Sequence, residues 1–297
     1  MGAAEKLNRP SAVQIAERLD ELPTLPTIVY ELSRVIGDPM SSTSDVEGIM
    51  SNDPAMTTKV LRLANSAYYA IPGGVSSLQR AIAYIGFDAI HQLVLSASIM
   101  KALDAKASAQ FDTKEFWKHC LGVAMASETT ARFVHHKSPS DLFTCGLVHD
   151  IGKIALYMLT PETFAETLAY AKEKDVTMIE AEEALSLPRH TNVGKELTAK
   201  WRLPAVFQAI TAHHHQKDFA ARPALSPEMH QVVDIVFLAN LLVHALDFGQ
   251  SGHRKVLGAP KDTLERLHLK PEQLKELVIK IKEALGNVEG FLKIIGS

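Results

Sequence analysis

Cysteine is scarce in this chain of 297 residues: Cys120 and Cys145 are the only two. Two thiols cannot staple a chain of this length, and both sit in apolar, helix-patterned surroundings where cysteine acts as a small hydrophobe. A disulfide-built scaffold is excluded, and both are expected reduced and structural. An excess of one charge sign is also missing. Thirty-one Lys and Arg stand against thirty-four Asp and Glu, a formal net charge of −3. There is no domain-wide basic surface of the kind that draws nucleic acid, so nucleic acid is not an expected partner. Long apolar runs are lacking too. The longest, Ile235 to Phe248, is shorter than a bilayer span and is interrupted by Asn240, His244 and Asp247, so no membrane crossing is expected. Glu5, Lys6 and Arg9 are not followed by the apolar segment of a secretory signal, which makes the cytoplasm the expected address. Internal repeats and low-complexity tracts are absent as well, which argues against a solenoid.

What is present is a large supply of core. Apolar residues make up 46% of the chain and charged residues 22%, a balance that excludes intrinsic disorder. Nearly every segment repeats apolar residues at three- and four-residue spacing, and strand-like alternation is almost absent. The expected fold is all-α: an irregular helical bundle with an N-terminal helical lobe over 1–105 and a larger helical lobe over 112–297. The polar stretch from Asp104 to Thr113 divides the two. Ser44–Glu47 and Thr177–Glu180 read as capping boxes, and Thr160-Pro161 as a capping hydroxyl ahead of a proline at the first helical position. Breaks are expected at Ile71–Gly74, Ser138-Pro139, Ala220–Pro227 and Gly249–Pro260. Leu264, Leu267, Leu274, Leu277, Val278 and Ile281 mark one or two amphipathic closing helices.

Thirteen histidines are the unusual number, several of them between His119 and His215. The sharpest local signal is the run from Leu147 to Lys153, where His149 and Asp150 stand side by side among apolar residues. Adjacent residues of a helix do not share a face, so one ion held by both requires a local distortion or a site sunk between helices. An unpaired buried Asp150 is costly, and a cation is the usual compensation. The alternative is an Asp150 that caps a helix beside a hydrogen-bonded core His149. His119, His190 and the run His213 to His215 lie elsewhere in the chain. Taken together they offer the nitrogen donors that a transition metal takes, with imidazole suiting iron or zinc and carboxylate leaning toward manganese. His135-His136-Lys137 reads instead as a solvated helix end.

Several motifs in order carry a resemblance: Pro23–Pro26, Asn52–Ala55, Leu61–Tyr69, Ala81-Ile82 with Ile85-Gly86, Phe116–His119, Gly146–Lys153, His190 with Val193-Gly194, Trp201–Pro204 and His213–His215. Over roughly residues 20 to 250 the chain resembles the HDOD family of bacterial signalling proteins, which is similar in turn to the HD superfamily of metal-dependent phosphohydrolases and to the HD-GYP phosphodiesterases. The resemblance implies an HD-like second lobe. It also implies a metal set of His119, His149, Asp150, His190, His214 and His215, with His213 able to replace one of the last pair by a register slip. Asp150 and Lys153 are the implied catalytic pair, Lys153 as the contact to a substrate phosphate. Two departures stand out. Asn240 occupies the place of the closing aspartate, where its carbonyl can still coordinate the metal but brings no negative charge, and Gln216 follows the histidines where glutamate is usual. Both lower the anionic count and imply a reduced capacity to turn a bound water into hydroxide. Asp247, two turns beyond Asn240, is a conceivable replacement carboxylate, though a place near the helix end is the plainer reading.

Two functions follow. One is a regulatory module that retains a divalent transition metal, iron first with manganese and zinc as alternatives, and turns over little or no substrate. Its partners are signalling proteins, and a nucleotide or other phosphate is a conceivable ligand. The other is a metal-dependent phosphohydrolase. No sensor, kinase or receiver segment is legible beside the module, which is expected to stand alone. The Asn65–Tyr69 block reads either as a docking surface or, preferably, as a helix end whose tyrosines cover the core.

Overall fold

A computed structural model describes residues 9–38 and 40–295; Glu5 and Lys6, on which part of the leader reading rests, lie outside the described residues. Among the described residues there are helices and no strand. The first third holds α1 (Ala12–Arg18), α2 (Thr27–Ile36), α3 (Thr43–Met50), α4 (Pro54–Ala64) and the long α5 (Leu78–Ala102). After a non-helical link over 103–112 come α6 (Thr113–Phe133), α7 (Pro139–Val148), α8 (Ile151–Leu159), α9 (Pro161–Lys174) and α10 (Met178–Ala184). Then follow α11 (His190–Lys200), α12 (Ala205–His213), α13 (Pro227–Ala245), α14 (Lys261–Arg266), α15 (Pro271–Leu285) and α16 (Val288–Ile295).

The breaks anticipated at Pro, Gly and Ser clusters fall between helices, because proline removes a ladder donor and tolerates only the first turn. Pro139 and Pro227 each sit in the first turn of their helices. Capping is less literal. Thr177 and Glu180 form the expected box. The box of α3 instead opens two residues early, on Ser42: Asp45 Oδ2 accepts from Ser42 N at 2.8 Å and from Ser42 Oγ at 2.7 Å. Glu47 is thereby released to accept from Gln79 N at 3.1 Å, which ties α3 to α5. Thr160 precedes Pro161 as expected, but its hydroxyl turns back and donates to Leu156 O at 2.9 Å, so it closes α8 rather than capping α9.

One continuous cluster of buried apolar side chains runs from Ile15 to Ile295. α6 lies at its centre, packed against α7, α13 and α15. α5 and the run Pro139–Leu159 are long and apolar enough by composition to span a membrane, yet most of each is buried inside the protein, the mark of core helices. The end of the chain forms three helices rather than one or two. His268, at φ 54°, breaks the periodic leucines after α14, and Gly286 and Asn287 separate α15 from α16. Cys120 and Cys145 are free and buried.

The tyrosine block takes the core-covering role. Asn65, just past α4, accepts from Val75 N at 2.7 Å and donates to Val75 O at 2.8 Å, which pins the following loop. The Tyr68 ring packs against Phe143 and Phe291, and its hydroxyl donates to Glu128 Oε2 at 2.5 Å. His136 is not solvated as expected: it is buried, and its Nδ1 accepts from Ser138 N at 3.2 Å where the chain turns into α7.

Candidate metal centre

The His149-Asp150 pair sits at a break in the helix. α7 ends at Val148, α8 starts at Ile151, and Asp150 between them adopts φ −105° and ψ 12°. That interruption is the local distortion the adjacent pair demands, and it turns both side chains inward. Asp150 makes no side-chain cap to α8, so it is not there as a helix cap.

The neighbouring Gly152 brings α11 within backbone contact. A Cβ on Gly152 would lie 1.9 Å from His190 O and 2.7 Å from Gly194 N. Only glycine admits that approach, which carries His190, the first residue of α11, to Asp150. His214 and His215 follow the end of α12, His119 lies in α6, and Asn240 lies in α13.

Asp150 is the hub. Its Oδ1 is 3.2 Å from His214 Nε2 and 3.4 Å from His190 Nε2; its Oδ2 is 3.2 Å from His149 Nε2 and accepts from Lys153 Nζ at 2.7 Å. His190 Nε2 is also 3.0 Å from His215 Nε2. Two donor groups result, one of Asp150, His190, His214 and His215 and one of His119, His149 and Asp150, with donor atoms within 4.8 Å inside each. Asp150 belongs to both. Asn240 joins the second through its Oδ1, 3.1 Å from His119 Nε2.

The second nitrogen of three imidazoles is already committed. His149 Nδ1 donates to Gly146 O at 2.7 Å, His214 Nδ1 to Ile210 O at 3.1 Å, and His190 Nδ1 to Glu182 at 2.9 Å. Each bond fixes the tautomer and leaves Nε2 as a lone-pair donor facing Asp150. His149 Nε2 and His119 Nδ1 have no hydrogen-bond partner although both are buried. An orphaned buried nitrogen is costly, and a bound cation removes that cost. The residues therefore fit a transition metal.

The electrostatics agree. Burial alone would raise the Asp150 carboxyl, but His149 and Lys153 outweigh it and hold the group well below the usual carboxylate range. Burial lowers His119 and His215 well below an ordinary imidazole and brings His214 and His244 to about 4. These rings are neutral at physiological pH, the form that ligates. Lys153 is fully buried and donates to Asp150.

Some expectations fail. His213 lies outside both donor groups, whereas His215 belongs to one, so the register slip does not occur. Asp247 is exposed beyond the end of α13 at φ 50°, because the helix stops at Ala245, and it cannot stand in for the missing carboxylate. Gln216 acts through its backbone: its carbonyl accepts from Arg222 Nε at 2.7 Å, and Arg222 Nη1 pairs with Asp234 at 2.8 Å. Four residues carried no motif and were missed: Glu182 behind His190, His244 with its ring 4.5 Å from that of His119, and Ser251 and His253 beyond it. Only His244, one turn after Asn240, had a readable signal.

A family model described as the HDOD domain matches residues 22–217. An uncharacterized protein of Treponema pallidum (strain Nichols) is 25% identical over 270 residues, which is 88% of this chain and 49% of the other, so the chain spans about half the length of the curated relative it matches. Among solved structures, an HDOD domain protein of unknown function from Geobacter sulfurreducens superposes with a TM-score of 0.79 at 23% identity, over 93% of this chain and 97% of the other. A protein of Marinobacter aquaeolei VT8 provisionally named a signal transduction protein gives 0.74 at 16% identity, over 98% and 63%. One of Shewanella amazonensis SB2B provisionally named a phosphohydrolase gives 0.71 at 21% identity, over 95% and 97%. At these identities the structural likeness speaks for the all-α fold alone.

Proposed function

The chain belongs to the HDOD domain family, and from that premise we propose that it is a cytoplasmic signal-transduction protein that holds a divalent transition metal with little or no hydrolytic turnover. His119, His149, Asp150, His190, His214 and His215 would hold the ion, with the Asn240 carbonyl beside them. Imidazole suits iron or zinc and the carboxylate leans toward manganese, with iron the ion this reading takes first. When bound, such an ion supplies Lewis acidity and charge to a ligand oxygen.

The observation that carries this reading is closure. His119, His149, Asp150, Lys153, His190 and His214 are all at or below 1% exposure, His215 is half-buried, and the Lys153 ammonium is already paired to Asp150. Structural metal sites are closed, whereas catalytic ones keep an open position for water and substrate. A regulatory centre needs no such position. Its partners would be other signalling proteins, and a nucleotide or similar phosphate is the ligand class that Lys153 favours.

A second reading, a metal-dependent phosphohydrolase, is favoured by one observation: Asp150 is shared between the two donor groups, as a residue bridging a pair of ions would be. Elemental analysis of freshly purified protein, followed by an assay of bis(p-nitrophenyl) phosphate hydrolysis with added iron or manganese, separates the two. Bound metal without turnover is the expected result. Turnover that disappears in both His149→Ala and Asp150→Ala overturns the regulatory reading, and protein free of metal after loading overturns both.

A further inference from the structure

The wall that closes the metal centre is not a helix. Between α13 and α14 the chain runs without regular structure over 246–260. Its Gly249, at φ 66°, lies so close to α6 that a Cβ would stand 2.3 Å from His119 N, and Gln250 N donates to Glu115 O at 3.0 Å. Those contacts press Ser251 into the centre, where it is fully buried. Lys153 Nζ donates to Ser251 Oγ at 3.3 Å, and the same hydroxyl lies 3.4 Å from His244 Nε2. His253 stacks behind, its ring 4.5 Å from that of His244.

On the outer side the same residues line a cleft. Gln250, Gly252, His253 and Arg254 form one wall of a cavity of about 610 Å³ whose other wall includes Glu115 and Lys172. One short segment therefore separates an open cleft from the buried Asp150–Lys153 ion pair. Its polar anchors are few: one backbone bond to α6, and hydroxyl contacts to Lys153 and His244 at the long end of hydrogen-bond distance.

We propose that residues 249–254 are a strap that shuts the metal centre, with Ser251 Oγ occupying on Lys153 the place of a ligand oxygen, and that a phosphate oxygen reaching Lys153 releases the strap. The proposal rests on the reading of Lys153 as a phosphate contact. It gives a reason for a donor cluster of this kind to turn over little substrate: the chain supplies its own competitor for Lys153. Release also moves Val256 and Leu257, which are 56% and 44% exposed, so occupancy of the buried centre is expressed at the surface.

Hydrogen exchange of the full chain, followed by mass spectrometry, tests this. In metal-free protein, Ser251→Ala is expected to raise exchange over 249–257 by about tenfold, the scale of one hydrogen bond to a charged group, while α9 stays unchanged. Ser251→Thr, which keeps the hydroxyl, is expected to restore protection. Inorganic phosphate added to the wild-type protein is expected to raise exchange in the same amides, and chelator is expected to strip Mn²⁺ from loaded Ser251→Ala about tenfold faster than from wild type. Wild-type protection in Ser251→Ala overturns the strap. Wild-type exchange that does not respond to saturating phosphate overturns its release. A chain that binds none of iron, zinc or Mn²⁺ sinks the proposed function instead, and the two exchange comparisons on metal-free protein still decide the strap.

Discussion

Asp150 and Lys153, three residues apart and both fully buried, share a hydrogen bond of 2.7 Å at the junction of α7 and α8. A buried pair of this kind adds little net stability, because desolvation of the two charges cancels most of their attraction. Breaking it is a different matter. Lys153→Met removes the ammonium that donates to Asp150 and leaves the buried carboxylate without its lysine partner. Metal-free protein is expected to lose about 3–5 kcal/mol in a urea titration, and added Mn²⁺ to recover part of it. A loss below about 1 kcal/mol would show that the surrounding imidazoles already neutralise the carboxylate.

Glu182 sets the tautomer of His190, accepting from its Nδ1 at 2.9 Å and from its backbone N at 3.1 Å. Glu182→Gln keeps the shape and removes the charge. Metal affinity is expected to fall by roughly 10- to 100-fold, the usual cost of losing a carboxylate behind a histidine ligand. Circular dichroism should remain that of the parent. Unchanged affinity by calorimetry would remove His190 from the ligand set.

At Gly152 a single methyl group would meet His190 O at 1.9 Å. Helix propensity alone favours alanine there, so the sign of the outcome discriminates. Gly152→Ala is expected to cost about 3 kcal/mol or more as α11 is pushed off α8, with metal binding lost along with it. A melting temperature equal to or above that of the parent would show that the two helices do not pack as described.

Acid should unfold the metal-free protein from the histidine side. Burial holds folded His214 at about 4, below the 6.5 of a free imidazole. Between those values the unfolded chain binds the extra proton, so stability is full above pH 6.5 and falls as the pH drops toward 4. His244, also brought to about 4 by burial, adds in the same direction. Asp150, held low by His149 and Lys153 against its burial, adds further loss at still lower pH. Melting temperatures taken across this range check it, and a flat profile would mean the rings are solvated. Metal release should follow the same trend, since protons and the ion compete for Nε2.

Much of the helical frame was legible because proline and glycine act locally. Pro139, Pro161 and Pro227 each stand where a helix begins, and the Thr177–Glu180 box needs only three residues of context. Competition between equivalent signals was not legible. Ser42 and Ser44 are both good caps, and Asp45 closes the box on the first while Glu47 accepts from Gln79 on another helix. At the centre, the histidines carried motifs that could be read in order. Glu182 and Ser251 carried none, since a lone glutamate or serine looks the same whether it faces solvent or a buried imidazole.

The residues alone determined the all-helical class, the main breaks and the kind of donor available, because periodicity, backbone restrictions and side-chain chemistry are properties of short segments. Only the folded arrangement decided that His119, Asp150, His190, His214 and His215 meet, that Asp247 does not join them, and that Ser251 shuts the space between. Those outcomes depend on how closely helices distant in the chain approach, and one backbone contact at Gly152 sets that approach for His190.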